Sequence, residues 1–155
     1  MNHINTIDQN IQLLSPIYIL NKNDYYNGFL QLLEQLTVVN SNQISYANFC
    51  EQYDNLKNEI YIIKNNLTNK IVATGSIFIE PKFIRNLSSV AHIEDIVVDK
   101  EYRGYGLGKL IINYLTNIAK DKKCYKVILD CSDDNIGFYE NCGFTKKGNE
   151  MALYF

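Results

Sequence analysis

No hydrophobic run in this 155-residue sequence approaches the roughly 20 residues that a helix needs to cross a bilayer. The first ten residues, MNHINTIDQN, lack the basic start and the apolar centre of a secretory signal. The net charge of -2 and the pI near 5.7 give no general attraction to nucleic acid or to an anionic membrane. Neither is therefore expected as a partner, and any site for an anion must be local.

Metal-ligand spacing is also missing. The four cysteines, Cys50, Cys124, Cys131 and Cys142, form no C-x-x-C pair, and neither histidine lies at a distance from them that is typical of a metal site. Free thiols in a reducing compartment are the simplest interpretation. We expect a cytoplasmic protein without a bound metal.

The chain has the length and composition of one domain. It is 46% hydrophobic and 21% charged, which is ordinary for a globular protein, and it contains no internal repeat or low-complexity linker. Residues 1–155 are therefore predicted to form a single domain. Residues 1–15 have weak periodicity and are predicted to be a loosely attached arm.

Hydrophobic periodicity predicts an α/β fold with a largely antiparallel meander in its middle. Strands are expected at 16–20, 59–65, 71–80, 91–98 and 126–131, with two further short strands after residue 143. Helices are expected at 24–36, 45–56 and from the glycine-rich turn to residue 121, with a short one at 135–142. The loop 81–89 carries two cations.

The stretch EYRGYGLGKL, residues 101–110, joins a predicted strand to a predicted helix. Amide groups at a helix N-terminus suit an anion, and Gly104, Gly106 and Gly108 would let the backbone approach it closely. Arg103 and Lys109 add positive charge. A triphosphate-binding P-loop is excluded because a leucine, and no hydroxyl residue, follows Lys109. A dinucleotide fingerprint fits poorly because a meander, and no βαβ unit, precedes the turn. A purely structural loop remains possible on this evidence alone.

Two motifs resemble the GNAT N-acetyltransferase superfamily. RGYGLG, residues 103–108, matches its R/Q-x-x-G-x-G/A signature, and NIGFYENCGF, residues 135–144, resembles its downstream block. Longer stretches (IVATGSIFIEPKFIRN, HIEDIVVDKEYRGYGLGKLII and CYKVILDC) resemble the eukaryotic-type glucosamine 6-phosphate N-acetyltransferases, a family within that superfamily. The similarity extends over roughly residues 24–154.

The resemblance implies a fold, a reaction and an assembly. The fold would be a central, mixed, mostly antiparallel sheet that is splayed in the middle and flanked by helices. The reaction would transfer acetyl from acetyl-CoA, without a metal, to the 2-amino group of glucosamine 6-phosphate, a step toward UDP-N-acetylglucosamine. The family forms homodimers, and each sugar site is completed by the partner chain.

For acetyl-CoA, the resemblance implies three groups of contacts. The turn would hold the pyrophosphate through its backbone, and the end of the preceding strand would pair with the pantetheine arm and face the thioester oxygen. The implied residues are Ile96, Val97, Val98, Asp99, Arg103, Gly104, Tyr105, Gly106, Leu107, Gly108, Lys109, Asp130, Asn135 and Tyr139.

For the sugar phosphate, the resemblance implies residues from several segments: Thr37, Lys82, Phe83, Ile84, Arg85, Glu94, Asp95, Ile96, Tyr125, Lys126 and Tyr154. Tyr125 and Lys126 match positions that reach the sugar of the neighbouring subunit. Strand alternation would place Glu94 and Asp95 on opposite faces, so they are not expected to act as one carboxylate pair. The family commonly has an arginine where this chain has Tyr154, which removes a charged phosphate contact.

For the chemistry, the resemblance selects two residues. Tyr139 would be the general acid, because a phenol of pKa near 10 can protonate a leaving thiolate. The carbonyl of Asp130 would orient the amine. A covalent route through Cys131 or Cys142 is disfavoured because no histidine is placed to activate either thiol. Two alternatives remain: an acetyltransferase for another amine (a peptide N-terminus, lysine or polyamine) and a CoA-binding module without catalysis.

Overall fold

A computed structural model of the chain describes residues 13–155. Residues 1–12 of the predicted N-terminal arm lie outside this range. Residues 13–15 lie alongside a strand end, because the amide of Ser15 donates to the carbonyl of Lys64 (2.8 Å) and the amide of Asn66 donates to the carbonyl of Leu13 (2.7 Å).

A five-stranded sheet forms the centre of the protein, and its strands lie side by side in chain order. β1 to β4 pair antiparallel, whereas β4 and β5 are parallel. This confirms the predicted α/β class with an antiparallel meander. The strands are β1 (Tyr18–Ile19), β2 (Glu59–Lys64), β3 (Ile71–Pro81), β4 (Ser89–Val98) and β5 (Cys124–Ile128).

The helices agree with the prediction except at the first one and at Ile84–Leu87, a short helical turn within the predicted loop. The segment predicted as one helix over 24–36 is a 3₁₀ turn, Lys22–Asn27, followed by helix α1, Phe29–Leu33. Gly28, with φ of 81°, separates the two, because left-handed backbone ends a helical turn. Helices α2 (Tyr46–Asn55), α3 (Leu107–Asp121) and α4 (Ile136–Glu140) follow the predicted positions.

Two hydrophobic cores cover the two faces of the sheet. On one face, α3 packs its buried side chains, among them Ile111, Ile112 and Leu115, onto β3 and β4. On the other, α1 and α2 contribute Phe29, Leu32 and Phe49 to a second cluster. Both faces of the sheet are covered in the middle, and this explains why seven successive residues of β3, 71–77, are buried.

The sheet opens at the C-terminal half of β4. The β4–β5 pairs run from Ser89 and Cys124 to His92 and Ile128. Beyond His92, β4 continues to Val98 paired with β3 but not with β5. A gap therefore lies between the end of β4 and the segment after β5. This is the splay that the resemblance implied.

The C-terminal prediction was wrong. β5 begins two residues earlier than expected, and the structure assigns no strand after Ile128 within residues 13–155. Residues 145–155 are exposed, including the large apolar side chains Met151, Leu153, Tyr154 and Phe155. One edge of β5 consequently has no paired strand among the described residues. Residues 145–150, TKKGNE, offer no apolar face to bury against this sheet.

Candidate functional site

The glycine-rich turn leads directly into α3. Gly106 has φ of 79° and is the N-cap residue of this 15-residue helix, and no side chain caps the helix there. Gly104 has φ of 86°, and open space lies where a Cβ would project from either glycine. The first amides of α3 are thus left to an external partner, and the helix dipole favours an anion there. The sequence predicts an anion site at this position, and the uncapped start of α3 is compatible with it.

The start of the turn is anchored by Asp99, whose side chain is only 2% exposed. Its carboxylate accepts from Lys70 Nζ (2.7 Å) and from the amide of Glu101 (3.0 Å). Gln35 Oε1 accepts from the amide of Lys100 (2.9 Å). Burial opposes ionisation of Asp99, but the hydrogen bonds from Lys70 and Glu101 outweigh it and lower its pKa. The turn is therefore tied to α1 and β3 before any ligand binds.

We expect Lys70→Met to destabilise the protein by about 1 kcal/mol at pH 7, because Asp99 stays buried but loses a charged partner. Lys70 is half exposed, so the loss stays below that of a fully buried pair. The pKa of Asp99 is lowered on folding, so its contribution is present above its unfolded pKa, near 3.9, and disappears as the pH falls through the folded value. The free energies of unfolding of the parent and of Lys70→Met, measured in urea and plotted against pH, should therefore converge in acid.

The matched control is Lys22→Met, which removes an exposed ion pair with Asp54. No measurable change is expected there. An equal loss in both variants would contradict a specific role for the buried carboxylate.

The end of β4 carries an irregularity beside the gap. Asp95 has φ of 53°, and the pairing with β3 shifts between Thr74 and Ser76, so that two residues, Asp95 and Ile96, oppose one residue of β3. This β-bulge interrupts the strict alternation expected for Glu94 and Asp95. Bulges re-aim backbone groups, and this one lies where the thioester is expected.

Further along β4, several main-chain groups are already used within the protein. The amide of Asp99 donates to the carbonyl of Val72 (2.8 Å), and Arg103 Nε donates to the carbonyl of Val98 (3.1 Å). Both groups hold the turn in place. Asp95 and Ile96, the two residues of the bulge, are the residues of this segment that have no partner of their own in β3.

Tyr139 lies on α4, across the gap from β4. Its ring packs edge-on against Phe138 (4.9 Å between centroids) and Phe144 (6.1 Å). Burial raises its pKa, with smaller effects from Cys131, Cys142 and Glu94 in the same direction. The hydroxyl is therefore protonated at neutral pH, as a general acid requires.

The helix that carries Tyr139 contacts the glycine-rich turn. A Cβ at Gly108 would lie 3.1 Å from Cζ of Phe138, so the phenyl ring rests on that glycine. Asn135, at the start of α4, donates from Nδ2 to Ser132 Oγ (3.1 Å). The predicted anion site and the predicted acid thus belong to one packed unit.

Three carboxylates gather near the gap. Burial raises the pKa of Glu94, and the nearby charges of Asp95 and Asp130 raise it further. Glu94 also affects the pKa of Tyr139, which places the acid and the carboxylates in one electrostatic environment. A cationic amine would be attracted to this side of the gap.

The thiols show no sign of activation. All four cysteines are free, and burial raises the pKa of Cys124 and of Cys142. Within residues 13–155, no group of three His, Cys, Asp or Glu side chains is arranged to hold a metal ion, and no helix is both long and apolar enough to span a membrane.

The first predicted phosphate residue is already paired. Lys82 Nζ contacts the Glu80 carboxylate, whose second oxygen lies 3.0 Å from Nε2 of His92. Lys82 and then His92 lower the pKa of Glu80, so the carboxylate stays ionised. Neither partner was selected from the sequence, where nothing marks residues 80, 82 and 92 as neighbours.

Three other predicted sugar residues meet at the far end of the β3–β4 hairpin. The Arg85 guanidinium and the Lys126 ammonium each lie 5.7 Å from the centre of the Tyr125 ring. Arg85 adopts a left-handed backbone conformation, with φ of 55°, and the loop around it is exposed. Phe83 and Ile84 beside it are also exposed.

This cationic cluster, Arg85, Tyr125 and Lys126, lies far from the bulge. The strand pair Val90 and Lys126 fixes its position along β4, and Ile96 follows Val90 by six residues, which is about 20 Å of strand. Thr37 lies on the surface just after α1, and Tyr154 is in the exposed C-terminal segment. One copy of the chain therefore does not bring all the predicted sugar residues together.

The chain matches the acetyltransferase (GNAT) family over residues 26–144. It is 43% identical over 136 residues to a glucosamine 6-phosphate N-acetyltransferase of Candida albicans, covering 85% of this chain and 90% of that protein. It is 41% identical over 140 residues to glucosamine 6-phosphate N-acetyltransferase 1 of Dictyostelium discoideum, covering 87% of each. It also resembles the crystal structure of the Arabidopsis thaliana glucosamine-6-phosphate N-acetyltransferase, with a TM-score of 0.87 and 40% identity over 92% of this chain and 98% of that one.

Proposed function

Because the chain belongs to the acetyltransferase (GNAT) family, we propose that it transfers acetyl from acetyl-CoA to the 2-amino group of D-glucosamine 6-phosphate. The products are N-acetylglucosamine 6-phosphate, an intermediate on the way to UDP-N-acetylglucosamine, and CoA. The splayed sheet carries this proposal, because its gap lies between the uncapped start of α3, the bulge of β4 and Tyr139.

The donor binds along the gap. Its pyrophosphate is held by the amides at the start of α3, with Arg103 and Lys109 supplying charge, and its pantetheine arm runs along β4. The acetyl carbonyl faces the backbone at Ile96 and Val97, whose donors stabilise the oxyanion when the amine attacks.

The acceptor amine enters beside Glu94, Asp95 and Asp130, and the carbonyl of Asp130 orients it. The neutral amine attacks the thioester carbon in a ternary complex. A C–N bond forms, the C–S bond breaks, Tyr139 gives its proton to the departing sulfur, and the proton that the nitrogen then loses restores the Tyr139 phenol. No cysteine is required, in agreement with the raised pKa of Cys142.

The protein is proposed to act as a homodimer with shared sugar sites. Two observations support this: the cationic cluster lies about 20 Å along β4 from the bulge of its own chain, and among residues 13–155 one edge of β5 has no paired strand while the apolar C-terminal side chains are exposed. A second copy could bring its cluster to the first copy's gap. The free cysteines favour a reducing compartment, and we propose the cytoplasm.

Release of CoA thiol tests the function against a panel of acceptors: glucosamine 6-phosphate, glucosamine, peptides and polyamines. Turnover is expected with the phosphorylated sugar and should fall at least tenfold without the phosphate. Turnover with a peptide or a polyamine but not with either sugar would show that the acceptor is another amine. Binding of acetyl-CoA with no turnover on any acceptor would identify a CoA-binding module.

Tyr154→Arg tests the missing cation. If Tyr154 lies against the substrate phosphate, an arginine there adds a charge-assisted contact, and the KM for glucosamine 6-phosphate should fall by about tenfold with kcat nearly unchanged. The KM for unphosphorylated glucosamine is the internal control and should not move. An equal change for both sugars would place residue 154 away from the phosphate.

A further inference from the structure

Gly75 lies in the middle of β3, directly opposite the β4 bulge. Thr74 pairs with Val97 and Ser76 pairs with Glu94, so Gly75 alone faces the two residues of the bulge, Asp95 and Ile96. Glycine weakens the interior of a strand unless something approaches closely, and here it lies in the buried middle of a mostly apolar strand. The close approach comes from the bulge itself.

The space beside Gly75 is filled by three side chains. A Cβ at this position would lie 3.2 Å from Cδ1 of Leu115, 2.7 Å from Cγ2 of Ile111, and closer still to Cδ1 of Ile96. Ile111 and Leu115 belong to the fully buried face of α3. The Ile96 side chain is thus folded over the bare backbone of Gly75 and held there by the helix.

The opposite face of the same segment is open. A cavity of about 190 Å³ lies between β3 and the helices α1 and α2, and Gly75 and Asp95 line it. The bulge is therefore packed tightly from the α3 side and loosely from the other. A methyl group added at residue 75 would push the bulge toward the cavity.

From this geometry we propose that Gly75 is a positioning residue for catalysis. Because Gly75 has no side chain, the Ile96 side chain can pack on its backbone and hold the bulge in one conformation (the lock). This packing fixes the backbone of Ile96 and Val97 against the thioester. The inference rests on the proposed acetyl transfer. Gly75 itself touches neither substrate. It acts through Ile96, and a shift of about 1 Å in such a donor can lower the rate 100-fold.

The first test is Gly75→Ala. We expect kcat to fall about 30- to 100-fold while the KM for acetyl-CoA stays within threefold, because the pyrophosphate site at the start of α3 is remote from the added methyl. Gly75→Ala combined with Ile96→Val removes the Cδ1 that the methyl would meet. This double variant should recover at least tenfold in kcat and remain less heat-stable than the parent, since Ile111 is still crowded.

Ile112→Val is the matched control for a loosened core. Ile112 is fully buried in the same helix, and the side chains of Ile96, Ile111 and Leu115 are those nearest to a Cβ at residue 75. This variant should melt at a lower temperature and keep the parent kcat. Loss of stability in Gly75→Ala with an unchanged kcat would overturn the proposal, as would an activity loss that Ile96→Val does not relieve.

If Gly75→Ala fails to fold, Ile96→Ala tests the same lock without overpacking. It should lower kcat at least fivefold with little change in the KM for acetyl-CoA. An unchanged kcat in that variant would equally overturn the proposal.

An acceptor-free measurement separates this inference from the proposed function. The backbone amide resonances of Ile96 and Val97 should shift more on addition of acetyl-CoA than of CoA, and Gly75→Ala should abolish that difference. If the parent shows the difference but does not turn over glucosamine 6-phosphate, the sugar assignment fails and the role of Gly75 stands. If the parent shows no difference, or Gly75→Ala retains it, the proposal for Gly75 fails.

Discussion

Tyr139→Phe is expected to lower kcat about 100-fold and to leave the KM for acetyl-CoA nearly unchanged, since general acid catalysis typically contributes factors of this size or more. The substitution removes one oxygen and keeps the ring that packs against Phe138 and Phe144. Loss of the proton donor forces the thiolate to leave unprotonated or to take a proton from water. Single-turnover measurements on the assembled enzyme would locate the loss in the chemical step.

Tyr114→Phe provides the control. Tyr114 also lies in an aromatic pair, 5.0 Å from the ring of Tyr61, but it is on α3 and outside the gap. Its variant should have the parent kcat. A Tyr139→Phe enzyme as fast as the parent would show that another group protonates the sulfur.

The second large effect concerns the cationic cluster. A variant carrying both Arg85→Ala and Lys126→Ala should lose at least 100-fold in kcat/KM for glucosamine 6-phosphate, because each charge-assisted hydrogen bond contributes about 1.5–3 kcal/mol. The KM for acetyl-CoA should not change, since the cluster lies far from the start of α3. Unphosphorylated glucosamine is the reference substrate: kcat/KM for it should differ much less between the parent and the double variant, because it has no phosphate to contact.

Mixing two inactive variants shows whether the sites are shared. In a mixed dimer of Tyr139→Phe with the cluster variant, one site would combine an intact Tyr139 with an intact cluster from the other chain. After denaturation and refolding of an equal mixture, half of the dimers are mixed and one site in each is intact, so about a quarter of the parent activity should return.

No recovery in a refolded mixture that contains mixed dimers would place both groups in the same chain's site. The parent protein taken through the same refolding sets the scale of full recovery. A mixture that is never unfolded controls for slow exchange of subunits.

The central sheet was predictable because its signals are local: runs rich in apolar and β-branched residues mark β2 and β3. The anion site stays a prediction, based on a strand that passes through Gly104 and Gly106 into an amphipathic helix. The splay followed from the family resemblance. Tyr139 was selected by its motif, since residue type alone could not distinguish it from the other eleven tyrosines.

What the sequence did not reveal depends on contacts between distant segments. Lys70 meets Asp99, and Glu80 meets Lys82 and His92, only after the strands pair. The bulge at Asp95 replaces the alternation that a regular strand would have imposed. Gly75 did leave a signal, a glycine inside an apolar strand, which indicates a bulge or a close approach of neighbouring chain.

The prediction of two C-terminal strands was wrong for a different reason. The periodicity of EMALYF is that of a strand, but a strand needs a partner, and residues 145–155 have none within residues 13–155. A pattern in one sequence carries no information about whether its partner lies in the same molecule. The prediction of a strand and the exposure of this segment are compatible if a second copy supplies the edge.

In the proposed homodimer, a second copy would bury two surfaces: the edge of β5 that has no partner among residues 13–155, and the exposed apolar segment 151–155. The stability of the protein would then depend on dilution. By mass action, any stability gained from such burial grows with the logarithm of protein concentration. The melting temperature of such a dimer would therefore rise with protein concentration, and values measured at different concentrations could not be compared directly.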